Sequence, residues 1–147
     1  MGYYTHMAVA IDSNLALADQ TTIAHEYVAA ARSVRQARND VAAFAERHGA
    51  AGVVLEDIRM AVSEAATNVV VHAYDEDVSG RFRVLAVVGG GQLLVIVDDD
   101  GRGLTAPSQH PGLGLGVRLM QQAAEQVLIR ARDFGGSTVQ LRFRLGA

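Results

Sequence analysis

Apolar residues recur along this chain at two periods, and each period predicts a different element. Val34, Ala37, Val41, Phe44 and Ala45 fall at helical spacing, ended by Gly49. Ser33 and Gln36 at its start have the form of a capping box: the serine oxygen accepts from the Gln36 amide while the glutamine side chain reaches back. A second stripe, Leu55, Ile58, Val62, Ala65, Val69 and Ala73, predicts a helix from about Leu55 to Tyr74, followed by the acidic turn Asp75–Asp77. Period two takes over next. Arg81–Val88 and Gln92–Asp99 read as a hairpin across Gly89–Gly91, with Leu93, Val95, Val97 and Asp99 alternating onto one face. Thr21–Val28 reads as another strand, and Val117–Ala124 as a short helix. Gln126–Arg132 and Thr138–Arg144 form a closing hairpin whose Val127, Ile129, Ala131, Val139, Leu141 and Phe143 share one side. The pattern predicts an α+β fold, an antiparallel sheet with its helices on one face.

Length and composition narrow the picture further. The chain has 147 residues, enough for one domain over residues 21–147. Met1–Gln20 forms an N-terminal arm without clear periodicity, open to being a flexible arm, a late start at Met7 or an extra strand. It lacks a basic start and has only the short apolar patch Met7–Ile11, so it does not read as a signal peptide, and no apolar run is long enough for a membrane span. The chain contains no cysteine, which excludes disulfides, zinc–thiolate sites and cysteine nucleophiles and suits a cytoplasmic location. A net charge of −3 argues against sequence-independent binding to nucleic acid. All 13 basic residues are arginine. Without lysine there is no P-loop lysine, no strand lysine of an ordinary protein kinase and no Schiff base.

Three segments carry candidate chemistry. Glu64, Asn68 and His72 stand at i, i+4 and i+8, so they share a helix face. Spacing alone fits a solvated face, but asparagine is a weak helix former, and its apolar neighbourhood suggests a partly buried polar site. Asp98–Asp99–Asp100 precedes Gly101-Arg-Gly103. An exposed turn is one reading, and a calcium loop fails for lack of alternate ligands and a distal glutamate. Asp99 continues the core-facing alternation, and glycines at 101 and 103 would let a flat ligand approach the backbone. Gly112-Leu-Gly-Leu-Gly116 directly precedes a helix and could bind an anion through free amides, or could be a simple flexible turn. Arg130, Arg132, Arg142 and Arg144 alternate onto one face of the closing hairpin, either as a solvated face or as a docking surface for an acidic protein.

Taken in order, the stretch from Val62 to Tyr74 (VSEAATNVVVHAY), the Asp99-x-Gly-x-Gly103 turn and the Gly112-x-Gly-x-Gly116 loop resemble the GHKL (Bergerat-fold) ATPases. The match is to their small bacterial branch, the anti-sigma-factor serine/threonine-protein kinases. Gly136-Ser-Thr138 resembles that branch's glycine–threonine turn, and the likeness runs from about Thr21 to Phe143. It implies a two-layer sandwich of a mixed, mostly antiparallel sheet with helices on one face. By the resemblance, Asn68 would ligate magnesium and Glu64 would be the general base. Asp99 would accept from the adenine amino group of ATP, with Gly101, Gly103 and Thr138 shaping the pocket, and Gly112, Gly114 and Gly116 would belong to the lid over the phosphates.

The implied activity is phosphorylation of an anti-sigma-factor antagonist protein on serine or threonine. The resemblance leaves open a sigma factor as a second partner and a homodimer as the assembly. One departure stands out: the lid from Leu104 to Pro111 has no arginine, and His110 is its only potential cation. That favours the alternative of a non-catalytic, nucleotide-dependent binding module, whereas Glu64 favours the enzyme.

Overall fold

The computed structural model describes residues 20–74, 79–102, 113–133 and 135–146. The arm before Gln20, the acidic turn after Tyr74, and the segment containing Gly103, His110 and Gly112 lie outside the described residues.

Five strands form one sheet: β1 (Thr21–Val28), β2 (Arg81–Gly89), β3 (Gln92–Asp99), β4 (Gln126–Ala131) and β5 (Ser137–Arg144). Their spatial order is β1-β2-β3-β5-β4, and every pairing is antiparallel. Three helices lie on one face: α1 (Ala31–Arg47), α2 (Gly52–Asn68) and α3 (Leu113–Ala123). The expected α+β architecture is therefore present, and its sheet is antiparallel throughout the described residues rather than mixed. No described helix is long and apolar enough to cross a membrane.

The core lies between the layers. Ala37, Val41, Phe44 and Ala45 of α1 and Ile58, Val62 and Ala65 of α2 are buried. They meet the inward set Phe82, Val84, Ala86, Leu93, Val95, Val97, Val139, Leu141 and Phe143. Burying a side chain of this size contributes roughly 1.5–3 kcal/mol, so the two amphipathic helices and the strand alternation fix the layering together.

Besides the start of α2, which falls at Gly52 instead of about Leu55, helix limits depart from the sequence reading in three places. First, α1 begins at Ala31 with Ala30 as its N-cap, and no side chain caps it. The good helix formers at the start carry the helix past Ser33, which is buried in the first turn, so the Ser33–Gln36 capping box does not form. Second, α2 gives way after Asn68 to a π-helical turn, Val69–Ala73. The run of three valines crowds an α-turn, and the wider turn begins there. His72 thus falls outside the regular spacing that joins Glu64 to Asn68. Third, α3 starts at Leu113, so Gly114 and Gly116 lie in its first turn instead of in a loop before it.

Glycines mark where backbones nearly touch. Gly136 has φ +88°, and a Cβ there would overlap the carbonyl oxygen of Asp99. Gly114 is helical with nothing within 4 Å of a Cβ position. Gly136→Ala should therefore lower unfolding stability by at least about 2 kcal/mol, whereas Gly114→Ala should be neutral or stabilising by up to about 1 kcal/mol. Urea unfolding of the two variants checks the contrast, and equal losses would contradict it.

Candidate nucleotide site

Strand alternation separates three adjacent carboxylates. Asp98 and Asp100 turn to the outer face of the sheet, away from the helices, and meet two arginines. Arg83 donates from Nε and Nη2 to Asp98 Oδ2 at 3.2 and 3.0 Å, and from Nη1 and Nη2 to Asp100 at 3.0 and 2.9 Å. Arg132 reaches Asp98 Oδ1 at 3.4 Å and also pairs with Asp100. Hydrogen bonds from Arg83, with help from Arg132, hold the Asp100 carboxyl down at about 2.

Asp99 is left alone on the helix face, fully buried. Its Oδ1 accepts from the Gly101 amide at 2.8 Å and its Oδ2 from the Ser137 hydroxyl at 2.6 Å. Burial nonetheless pushes its pKa above the ordinary carboxylate value, and the Ser137 and Gly101 bonds offset that only in part. A carboxylate has roughly four lone-pair positions, so Asp99 retains capacity for a further donor.

Ser137 takes a position that the sequence reading gave to Thr138. The register pairs Asp99 with Ser137 and Asp98 with Thr138, which sends Thr138 to the outer face, where its hydroxyl donates to Asp98 Oδ1 at 3.1 Å. The strand expected from Thr138 begins one residue earlier, and that single residue decides which hydroxyl meets the buried carboxylate.

The π turn links this carboxylate to the end of α2. Ala73 O accepts from the Arg102 amide at 2.8 Å, and a Cβ on Gly101 would overlap that same carbonyl. Tyr74 adds a second tie: its hydroxyl donates to Arg81 O at 2.6 Å and accepts from the Asp100 amide at 3.0 Å. From above, Arg132 Nη1 donates to Asp99 O at 2.8 Å. The turn at Asp99–Gly101 is thereby held from both faces of the sheet.

One helical turn back, Glu64 and Asn68 converge on α3. A Cβ at Gly116 would lie 3.1 Å from Glu64 Oε2, 3.3 Å from Asn68 Oδ1 and 3.4 Å from Asn68 Nδ2. A side chain there would crowd both polar groups, which would have to give way by a few tenths of an ångström beside the first turn of that helix. Asn68 is 5% exposed, and its Nδ2 is buried without a hydrogen-bond partner. Such an orphan costs about 1–3 kcal/mol unless a ligand satisfies it. Glu64 also borders an open groove of about 720 Å³ lined by Arg38, Glu56, Arg59, Met60 and Ser63.

The candidate residues thus form two clusters joined by the π turn: Glu64, Asn68 and Gly116 at one end, Asp99, Gly101 and Ser137 at the other. Gly114, though in the same first turn as Gly116, meets neither cluster, and Gly103 and Gly112 lie outside the described residues. The arginines of the closing hairpin are largely engaged within the chain. Arg132 binds Asp98 and Asp100, Arg142 Nη1 donates to Gln92 at 3.1 Å, and Arg144 Nη2 donates to Glu125 at 3.1 Å. Sequence reasoning missed Ser137, Tyr74 and Arg83; the strand register around Asp98 and Asp99 was the signal that could have found Ser137 and Arg83.

Comparison with known proteins bears on the fold and the family. The model of the histidine kinase-like ATPase domain matches residues 27–143. The chain belongs to that family. Its relatives include an anti-sigma F factor of a Thermoanaerobacter species, 27% identical over 76% of this chain and 85% of the relative. The anti-sigma F factor of Pasteuria penetrans is 30% identical over 83% of this chain and 89% of its own. Among solved structures, the RsbU and RsbW domains of Rv1364c from Mycobacterium tuberculosis superpose with a TM-score of 0.68 and 26% identity. That match covers 85% of this chain but only 32% of the larger one.

The outer clamp makes a pH prediction. Because the Asp100 pKa is lowered in the fold, its contribution to stability is complete above its ordinary value of 3.8 and is lost as the pH falls toward 2. Unfolding measured at pH 5 and pH 2.5 should show a larger loss for the wild type than for Asp100→Asn. Equal losses would place the acid sensitivity elsewhere.

Proposed function

We propose that this protein is an ATP-binding anti-sigma regulator that phosphorylates an antagonist protein on serine or threonine. The observation that carries the reading is the convergence of Glu64 and the unsatisfied Asn68 amide on Gly116. It puts a potential base and a potential metal ligand beside a helix N-terminus, whose free amides favour an anion. Membership of the histidine kinase-like ATPase domain family supports ATP as the nucleotide. The name anti-sigma F factor, carried by the relatives, supports a sigma factor as a further partner.

In this reading Asp99 accepts from the exocyclic amino group of adenine, while Gly101 and Ser137 fix its orientation. Asn68 Oδ1 would hold magnesium. No cluster of three or more acidic, histidine or cysteine side chains able to hold a metal exists among the described residues. Magnesium commonly keeps waters and nucleotide phosphates as its other ligands. Magnesium, when bound, would neutralise phosphate charge. Glu64 takes the proton of the incoming hydroxyl, which reaches it through the groove beside Arg59 and Met60, and the oxygen then bonds to the γ-phosphorus as the bond to ADP breaks. Transfer should be slower than the ~1–100 s⁻¹ of ordinary protein kinases, because the Leu104–Pro111 sequence offers no arginine to the γ-phosphate.

The same missing arginine favours a second reading, a binding module in which ATP sets only the conformation. Single-turnover transfer to antagonist proteins from the same genome separates the two. Glu64→Gln should keep magnesium–nucleotide affinity within about threefold and slow transfer by about 10²–10⁴-fold. Asn68→Ala should weaken magnesium-dependent nucleotide binding itself. Tight ATP and partner binding with no transfer by the wild type would overturn the kinase in favour of the module.

A further inference from the structure

Asp99 carries its charge where a charge is hard to keep. Burial favours a proton on it, and repulsion from Asp98 and Asp100 on the same strand adds to that, against the bonds from Ser137 and Gly101. A protonated Asp99 would turn one oxygen into a donor and lose the charge that makes it a strong acceptor. Adenine recognition needs the carboxylate, so the two flanking charges must be neutralised without a cation entering the base pocket.

Two guanidinium groups do this from the other face of the sheet. Arg83 stands opposite Asp98 in the register and Phe82 opposite Asp99, which puts Arg83 on the outer face. Its Nη2 donates to Asp98 Oδ2 at 3.0 Å and to Asp100 Oδ1 at 2.9 Å, so one group spans both neighbours of Asp99. Arg132 spans the same pair from the turn before β5 and also donates to the Asp99 carbonyl. The next outward positions on β2 and β3, Leu85 and Ile96, are apolar. Arg130 lies one strand further on, opposite Thr138, and Arg102 follows Gly101 in the chain. From the π turn Tyr74 faces the same carboxylates, and burial raises its pKa, so its hydroxyl stays neutral. An opposite charge within ~4–6 Å changes the protonation of a carboxyl by an order of magnitude or more. Resting on the role of Asp99 in reading adenine, we propose that Arg83 and Arg132 are positioning residues for base recognition: by neutralising Asp98 and Asp100 on the outer face, they keep Asp99 an ionised acceptor on the inner one.

Infrared difference spectra of the unliganded full chain test the charge apart from the adenine reading. A carboxyl C=O band that grows on acidification of the wild type and is missing from Asp99→Asn reports this one group. In Arg83→Gln the band should appear at a proton concentration at least about fivefold lower than in the wild type, and Arg83→Lys, which keeps the charge, should return it to within about twofold. Calorimetric titration with magnesium and ADP carries the effect to the base. Arg83→Gln should match the wild type within about twofold at pH 8.5 and bind at least about fivefold more weakly at pH 6, and this difference should vanish when Asp99→Asn is already present. A band that titrates alike in the wild type and Arg83→Gln overturns the proposal. So does a binding loss that is equal at both pH values or persists beside Asp99→Asn, since the arginine would then act on structure alone. If the band shifts while Asp99→Asn binds ADP like the wild type, the adenine reading fails and the role of the arginines in keeping the charge stands. Should Arg83→Gln not fold, as judged by circular dichroism, Arg132→Gln is read by the same band with the same two outcomes.

Discussion

Successive residues of a strand must point to opposite faces, and the site depends on what that does to Asp98–Asp99–Asp100. Three neighbouring carboxylates would repel one another in any open turn. At the end of β3 the alternation sends two of them outward to Arg83 and Arg132, where guanidinium groups neutralise them. The third is left facing the helices, buried and served only by neutral donors. Its desolvation is a local cost that the surrounding structure bears, as expected of a group kept for recognition rather than stability.

The rest of the site is arranged around that carboxylate by close approach. Gly136 lets β5 start against the Asp99 carbonyl, and Gly101 lets the strand end rest on Ala73. The π turn brings Ala73 there while leaving Glu64 and Asn68 on α2, one turn earlier and facing α3. Two polar clusters that are distant in sequence thus become two ends of one ledge, separated by a single helical turn. Gly116 is the counterpart at the other end, where a methyl group would crowd both Glu64 and Asn68.

Most of this was legible in the sequence, for physical reasons. Strand limits came out within about one residue, because apolar alternation and glycine turns define them sharply. The pairing of Glu64 with Asn68 followed from i, i+4 geometry. What escaped was whatever depends on a one-residue offset or on two faces at once. Ser137 was passed over for Thr138 because period two assigns opposite faces to neighbours, and register is set by a strand far away in sequence. The start of α3 was placed late because glycines read as loop, although the helix begins at Leu113 and packs Gly116 beside Glu64 and Asn68 of α2. The second apolar face of β2 and β3 lay in plain view in Leu93-Leu-Val-Ile-Val97, a run apolar at both parities, but only one parity was used.

The central claim is that Asp99 reads adenine while the Asn68 end of the ledge holds the magnesium-bound phosphates. Calorimetric titration of ATP and GTP, each with magnesium, into the wild type and Asp99→Asn tests it most directly. The account predicts a clear preference for ATP, since guanine presents a carbonyl where adenine presents an amino donor. It also predicts a loss of about 1–3 kcal/mol of ATP affinity in the variant. Equal affinity for ATP and GTP, or unchanged ATP binding by Asp99→Asn, would contradict it.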